Sequence, residues 1–339
     1  IYLAVLEEFE LHLLMQELSP LGLNWKHITT AYKQLGPEKA RKIKDNPYLL
    51  VHYNIASFDK ADAIALLNGE SKNSPRRIWA AFKEALACAL RLGDCYLPKD
   101  ILFNKSLGVL KVSIDKSVLE GELTNALESN FLIAEGDNIY LPNCFYAEKE
   151  IALAIAQLNK RKKPPRKLSS IIAQYEKNTH IQLAIKQREA IKTLFSSNIM
   201  ILTGGPGTGK TETIKAIVNI YKAIFPSHKI AQAAPTGRAS RRLAEISGKE
   251  AKTIHRLLGI QPSIGPQYHP YRRLPYDLIV IDEFSMVDLF IAKDLFRAIN
   301  PNSTLLIVGD KDQLPSVGPG NIFHDLLRTN IPVIELTEV

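Results

Sequence analysis

The chain has little cysteine, no long hydrophobic run and fewer acidic than basic residues. Its three cysteines, Cys88, Cys95 and Cys144, cannot form a disulfide framework and lack metal-ligand spacing. They read as ordinary thiols of a reducing compartment, so a cytoplasmic protein is expected. No apolar stretch approaches the roughly 18 residues of a membrane helix, which excludes a helical span and makes a membrane partner unexpected. The chain opens on Ile1 and not Met, and no signal-peptide pattern follows; a clipped N-terminus is expected. Lys and Arg number 43 against 35 Asp and Glu, a net charge of +8 with a pI near 9.2. That balance favours a polyanionic partner, most simply nucleic acid, although many unrelated proteins are as basic. Hydrophobic content of 46% and charged content of 23% are those of a globular protein with room for two or three domains.

The most informative stretch is Leu202-Thr-Gly-Gly-Pro-Gly-Thr-Gly-Lys-Thr-Glu212. It fits the phosphate-loop pattern G-x-x-x-x-G-K-[ST] at Gly204, Gly209, Lys210 and Thr211. Gly205, Pro206, Gly207, Thr208 and Gly209 let the backbone curl with its N–H groups turned toward anionic oxygens. Lys210 is expected on the β- and γ-phosphates, the Thr211 hydroxyl on Mg²⁺, and Glu212 beside them. Ile199–Leu202 reads as a buried strand before the loop. Ile214, Ile217, Val218, Tyr221 and Phe225 recur at helical spacing after it, so a helix N-terminus faces the phosphates. The chain is expected to bind a nucleoside triphosphate.

Residues 1–72 read as helical, with Leu3, Leu6, Phe9, Leu13 and Leu14 at helical spacing and Gly22, Gly36 and Pro37 as punctuation. The segment from Ile28 to Leu67 has room for two helix–turn–helix units. These are either a small packing domain or a grip on a DNA backbone. Residues 73–158 read as a winged-helix-like domain: one helix face is marked by Ile78, Ala81, Phe82, Ala85, Leu86, Ala89 and Leu90. A second helix is expected from about Asp115 to Ser129, then a hairpin around the turn Glu135–Asn138. Residues 159–168 carry Lys160-Arg-Lys-Lys-Pro-Pro-Arg-Lys167 and read as a basic linker, solvated or tethering DNA. From 169 to 339 strands and helices alternate, with strands expected at Ile199–Leu202, Ile230–Ala234, Leu278–Ile281, Leu305–Val308 and Val333–Leu336. The fold class is therefore α/β: a mostly parallel sheet of P-loop type, preceded by helical and winged-helix-like domains.

Asp282-Glu283 ends an apolar strand. Asp282 is suited to hold Mg²⁺, and Glu283 to orient and deprotonate a water attacking the γ-phosphate. Gln313, in the polar tip after Leu305–Val308, is within the reach expected of a γ-phosphate sensor; it is otherwise a loop residue. Gln187 precedes the phosphate strand, and its amide can pair with an adenine edge, which selects ATP. Pro235, Thr236 and Arg238 follow a strand, with Arg241 and Arg242 continuing a basic surface. Tyr268-His-Pro-Tyr-Arg-Arg273 interleaves aromatic and basic residues. Each of these two stretches is either a nucleic-acid contact or a solvated loop.

Together the motifs resemble superfamily 1 DNA helicases, and most closely the RecD family, the exodeoxyribonuclease V alpha-subunit type in its long, stand-alone form. The resemblance rests on Gln187-Arg-Glu-Ala190, the phosphate loop, Ala234-Pro-Thr-Gly-Arg-Ala239, Thr253-Ile-His-Arg-Leu-Leu258, Ile281-Asp-Glu-Phe-Ser-Met286, Gly309-Asp-Lys-Asp-Gln-Leu-Pro-Ser-Val317 and Glu335-Leu-Thr-Glu-Val339. It covers residues 169–339 and implies a first RecA-like motor domain. ATP and Mg²⁺ are implied as ligands, with Lys210, Glu283 and Gln313 as the reacting set. Thr236 and His255 are implied to line single-stranded DNA, and residues 260–276 to form a small hairpin insertion that helps split a duplex. It further implies 5′-to-3′ movement, single-stranded DNA and single-strand–duplex junctions as partners, and a role in DNA repair and recombination. Asn46-Pro-Tyr-Leu-Leu50 and Cys95-Tyr-Leu-Pro98 echo the helix–hairpin–helix and following domains of that form. Asn54-Ile-Ala-Ser-Phe58 stands where a glycine-containing hairpin is expected.

Members of that family continue past the last string into an arginine-bearing motif and a second motor domain, and usually carry a small β-barrel upstream. Neither is expected in this chain, so weak hydrolysis by it alone is an expectation of the resemblance. A P-loop ATPase of another class, an AAA+ remodeller, would place a sensor asparagine where the sequence has Gly309-Asp310. A module holding ATP only as a structural ligand is the other alternative.

Overall fold

The computed structural model describes residues 2–261 and 264–337, with only the backbone for residues 2–6. The predicted positions Leu3 and Leu6 therefore have no described side chains, and Pro262, Ser263, Glu338 and Val339 lie outside the described residues. The chain divides into two compact units, 1–145 and 146–339.

The first unit is built from helices α1 (Tyr2–Leu18), α2 (Trp25–Arg41), α3 (Leu49–His52), α4 (Phe58–Leu67), α5 (Pro75–Arg91), α6 (Lys99–Leu110) and α7 (Lys116–Glu128). Strands β1 (Tyr96–Pro98), β2 (Ile133–Glu135) and β3 (Asn138–Tyr140) form an antiparallel sheet in the order β1-β3-β2. Helix α2 is broken at Gly36, whose φ of 73° is left-handed, and Pro37 resumes it. Ser74 caps α5 by accepting from the Arg77 N–H, and Pro75 takes the first helical position. The apolar face predicted on α5 is the buried one, from Ile78 to Ala89. Where a glycine hairpin was expected, Asn54 supplies the left-handed turn itself, with φ 54°.

The second unit takes in α8 (Pro142–Leu158) from Tyr146 on, α9 (Leu168–Thr179), α10 (Ile185–Leu194), β4 (Ile199–Gly204), α11 (Lys210–Ile224), β5 (Ile230–Ala234) and α12 (Gly237–Ser247). It continues through β6 (Lys252–Thr253), α13 (Ile254–Leu258), β7 (Leu278–Ile281), α14 (Leu289–Ala298), β8 (Thr304–Gly309), α15 (Ile322–Leu327) and β9 (Val333–Leu336). All ladders of its six-stranded sheet are parallel, in the order β6-β5-β7-β8-β4-β9. Helices cover both faces, so β4, β7 and β8 are buried along their whole length. That is why their sequences are continuously apolar and not alternating. Burying each large aliphatic side chain contributes about 1.5–3 kcal/mol, and Met200, Leu202, Leu278, Val280, Leu306, Val308, Ile334 and Leu336 of this sheet share one core with residues of α9, α10, α11 and α12.

The unit division falls ahead of the boundary read at 158, because the later turns of α8 pair within the second unit. Glu150 meets Arg297 at 3.2 Å, and Asn159 donates to Asn330 at 3.1 Å. The basic segment is mostly exposed, as read, but it is fastened to the sheet and is not a free linker. The Lys162 N–H donates to Ser196 O, the Asn198 N–H to Lys160 O, and Lys162 Nζ reaches Thr304 Oγ1 at 2.6 Å. Burial pulls the Lys162 ammonium down to about 8.

Candidate nucleotide-binding site

The carboxyl ends of β4, β7 and β8 lie on one edge of the sheet, where parallel α/β folds bind ligands. β4 runs into the glycine loop. Gly204 has φ 155°, and a Cβ on it would stand 2.6 Å from Leu336 O, so the loop root presses on the end of β9. Gly209 has φ 83°, and a Cβ there would meet Gln187 Nε2 at 2.7 Å. A Gly209→Ala chain is therefore expected to lose nucleotide affinity. An isotherm matching the parent would show that the loop tolerates the side chain.

Lys210 opens α11. Its Nζ is folded back on the loop, donating to the carbonyls of Gly204 and, at 2.8 Å, of Gly205. Thr208 Oγ1 donates to Gly205 O at 2.9 Å, closing the loop.

One cavity of about 420 Å³ gathers Pro206, Gly207, Gly209, Lys210, Thr211, Glu212, Asp282, Glu283 and Gln313. Residues that are far apart in sequence converge there because three neighbouring strands end together. Asp282 leaves β7 with its N–H on Ala233 O at 2.9 Å, and its Oδ1 accepts the Glu283 N–H at 2.9 Å. Burial pushes the Asp282 carboxyl up to about 6; the Glu283 N–H bond pulls against this, the Glu283 charge adds to it, and Lys210 and Arg242 pull against it. Glu283 is left-handed, with φ 52° and ψ 40°, a conformation L-residues avoid. Gln313 Oε1 accepts from Ser285 Oγ at 3.1 Å, which ties the tip after β8 to the turn after β7. The same tip is tied to β9 by the ion pair of Lys311 with Glu335, 2.7 Å.

Gln187 sits on α10 beside the loop, in a second cavity of about 480 Å³ with Gln182–Arg188, Gly207, Thr208, Gly209, Leu336 and Thr337. Its Oε1 accepts the Ala184 N–H at 3.0 Å, and its Nε2 donates to Gly209 O at 3.4 Å. The two cavities share Gly207 and Gly209. Arg188 is fixed by Glu176 through two hydrogen bonds of 2.9 and 3.1 Å, which sets the wall of the second cavity.

Pro235, Thr236, Arg238 and His255 line neither cavity. They follow the carboxyl ends of β5 and β6. Thr236 caps α12 by accepting the Ala239 N–H at 3.2 Å, and Arg238 and His255 are exposed. In the insertion, Tyr271 is 97% exposed and Arg272 stands 5.6 Å from the Tyr268 ring centre. Arg273 departs from the expected surface role. Its Nη1 donates to the carbonyls of Arg297 and Ile299, 2.5 and 2.9 Å, so it is a strut under α14. Arg242 is exposed, as a basic surface residue is, and it also lines the Lys210 cavity with Ala239 and Leu243. Ala239, Arg242 and Leu243 share a helix face at i, i+3 and i+4, a spacing that does not tell a cavity from solvent. β6, two half-buried residues long, left no signal in the sequence.

Thr211 Oγ1 makes no hydrogen bond among the described residues, and the half-buried Asp282 carboxyl is desolvated. A hydroxyl and a desolvated carboxylate at the foot of a phosphate loop are the donor set a Mg²⁺ ion accepts. Among the described residues no helix is long and apolar enough to cross a membrane.

Residues 7–96 match the family described as the ATP-dependent RecD2 DNA helicase HHH domain, and residues 187–319 one described as an AAA domain. The ATP-dependent RecD2 DNA helicase of Deinococcus radiodurans is 31% identical over 339 residues, covering 96% of this chain and 47% of that protein. The RecBCD enzyme subunit RecD of Mycolicibacterium smegmatis is 40% identical over 166 residues, 42% of this chain and 30% of that one. The crystal structure of Pif1 helicase from Candida albicans aligns with 26% identity and a TM-score of 0.37 over 47% of this chain and 40% of that one, too low a score to bear on function. The chain spans about half the length of the RecD2 helicase it matches.

Proposed function

The chain is RecD-like, and from that premise we propose that it forms the N-terminal part and first motor domain of an ATP-dependent DNA helicase. On this reading the motor moves 5′ to 3′ on single-stranded DNA, engages single-strand–duplex junctions, and serves repair and recombination in the cytoplasm. The observation that carries it is the single cavity holding Lys210, Thr211, Asp282, Glu283 and Gln313.

Each residue has a distinct task. The loop N–H groups cradle the phosphates, and Lys210 exchanges its two carbonyl partners for β- and γ-phosphate oxygens. Gln187, once released from Gly209 O, is placed to read an adenine edge. Thr211 and Asp282 would hold Mg²⁺, which when bound screens the phosphate charge. Glu283 accepts the proton of the attacking water. Through Ser285 the Gln313 amide is held facing the same cavity, so loss of the terminal phosphate is felt at two strand ends. Pro235, Thr236, Arg238 and His255, beyond β5 and β6, would meet the DNA strand, with Tyr271 on the insertion as an aromatic surface.

Lys210→Ala is expected to weaken Mg·ATP binding by about 10- to 100-fold, the worth of charge-assisted hydrogen bonds to an anion. Isothermal titration of the chain with ATP measures it. Equal affinity in parent and variant would remove the phosphate loop from nucleotide binding.

A further inference from the structure

Two cations line the cavity that holds Asp282 and Glu283, and only one is accounted for by the phosphate-loop pattern. Lys210 is engaged by loop carbonyls. The other, Arg242, makes no hydrogen bond or ion pair among the described residues, although the carboxylates of Glu212, Asp282, Glu283 and Asp310 line the same space. An arginine carries five donors in a planar fork that matches the oxygens of a phosphate, and Arg242, exposed at the cavity wall, has that fork uncommitted among the described residues.

The helix that carries it is fixed. α12 is capped at Thr236, and its far end is tied to β5 by Gln232 Nε2 on Ser247 Oγ, 3.1 Å. Leu243, next in sequence, is 1% exposed in the core. Arg238 and Arg241, on the same helix, do not line the cavity, so the helix presents one arginine to it and turns two away.

We infer that Arg242 binds the terminal phosphate of the nucleoside triphosphate from within the same domain, and so sets the preference for triphosphate over diphosphate. This rests on the nucleotide-site reading above. It adds a positive charge at the γ-phosphate that needs no second domain to supply it. ADP lacks the group Arg242 would hold, so the two nucleotides separate its effect from that of Lys210, which also reaches the β-phosphate.

The test is titration of the whole chain with Mg·ATPγS and with Mg·ADP for the parent, Arg242→Ala, Arg242→Lys and Lys210→Ala. Fluorescence anisotropy on labelled oligo-dT runs alongside. Arg242→Ala is expected to lose about tenfold in ATPγS affinity and to keep ADP affinity within about twofold, with Arg242→Lys between. Oligo-dT binding should hold. Equal losses for both nucleotides, or no loss, would overturn the inference while a Lys210→Ala defect upholds the site. A loss confined to oligo-dT would assign Arg242 to the strand surface and overturn it equally. Absence of nucleotide binding by the parent chain would overturn the site reading itself.

Discussion

In the full-length parent, Glu283→Gln is expected to lower the rate of ATP turnover by about 10²- to 10⁴-fold, the usual contribution of a positioned general base, while nucleotide affinity changes little. The amide keeps the size of the carboxylate and removes its capacity to take a proton. Its φ of 52° adds an independent handle. A left-handed non-glycine residue costs about 1–2 kcal/mol, and glycine there would relieve it at an entropic cost of about 0.5–1 kcal/mol. Glu283→Gly is thus expected to be as stable as the parent or up to about 1.5 kcal/mol more so, and as inactive as the glutamine variant. Steady-state ATPase rates and thermal melts of the two variants decide it. Unchanged turnover in either would take Glu283 out of the base role. A large loss of stability in the glycine variant would mean the side chain serves the fold.

What could be read from the sequence follows from what each residue type demands. The strands holding Ile199–Leu202, Leu278–Ile281 and Leu305–Val308 were legible because burial on both faces leaves only apolar residues. The phosphate loop was legible because φ values of 82° and 83° at Gly207 and Gly209 admit almost nothing but glycine. Arg242 was not, since an arginine on an amphipathic helix looks the same whether it faces solvent or a cavity; only the packing of Leu243 decides. Nor was Arg273, whose partners are two carbonyls that any backbone offers. Lys162 was hidden for the opposite reason, being one lysine in a run that composition assigns to solvent. Long-range pairings of this kind leave no periodic trace.

The same holds for the interior of the first unit, where the largest effect on stability is expected. Arg77 is 4% exposed at its side chain and forks onto Asp62 through Nε at 2.7 Å and Nη2 at 2.9 Å. It also donates to the carbonyls of Lys72 and Leu110, each at 2.9 Å, joining α5 to the loop before it and to the end of α6. Tyr48 completes the carboxylate with a hydrogen bond of 2.7 Å. Burial pushes the Asp62 carboxyl up, but the hydrogen bonds from Arg77 and Tyr48 outweigh it and hold the group below its ordinary value. Arg77→Ala leaves a buried carboxylate with one neutral donor and is expected to cost about 3–5 kcal/mol. The sign with pH is fixed. In the parent, Asp62 stabilises above its unfolded value and that contribution is lost as pH falls through the depressed folded value. In the variant the unpaired carboxyl is raised instead, so its penalty grows as pH rises above about 4. The deficit should therefore be largest near neutrality and shrink in acid. Both tryptophans, Trp25 and Trp79, lie in this unit, so fluorescence-monitored urea unfolding reports it selectively. Arg77→Met with Asp62→Leu should recover most of the loss, because two apolar side chains remove the desolvation cost together with the pair. A single variant within about 1 kcal/mol of the parent at neutral pH, or a double variant no better than the single, would show that the charge pair is not what holds α4, α5 and α6 together.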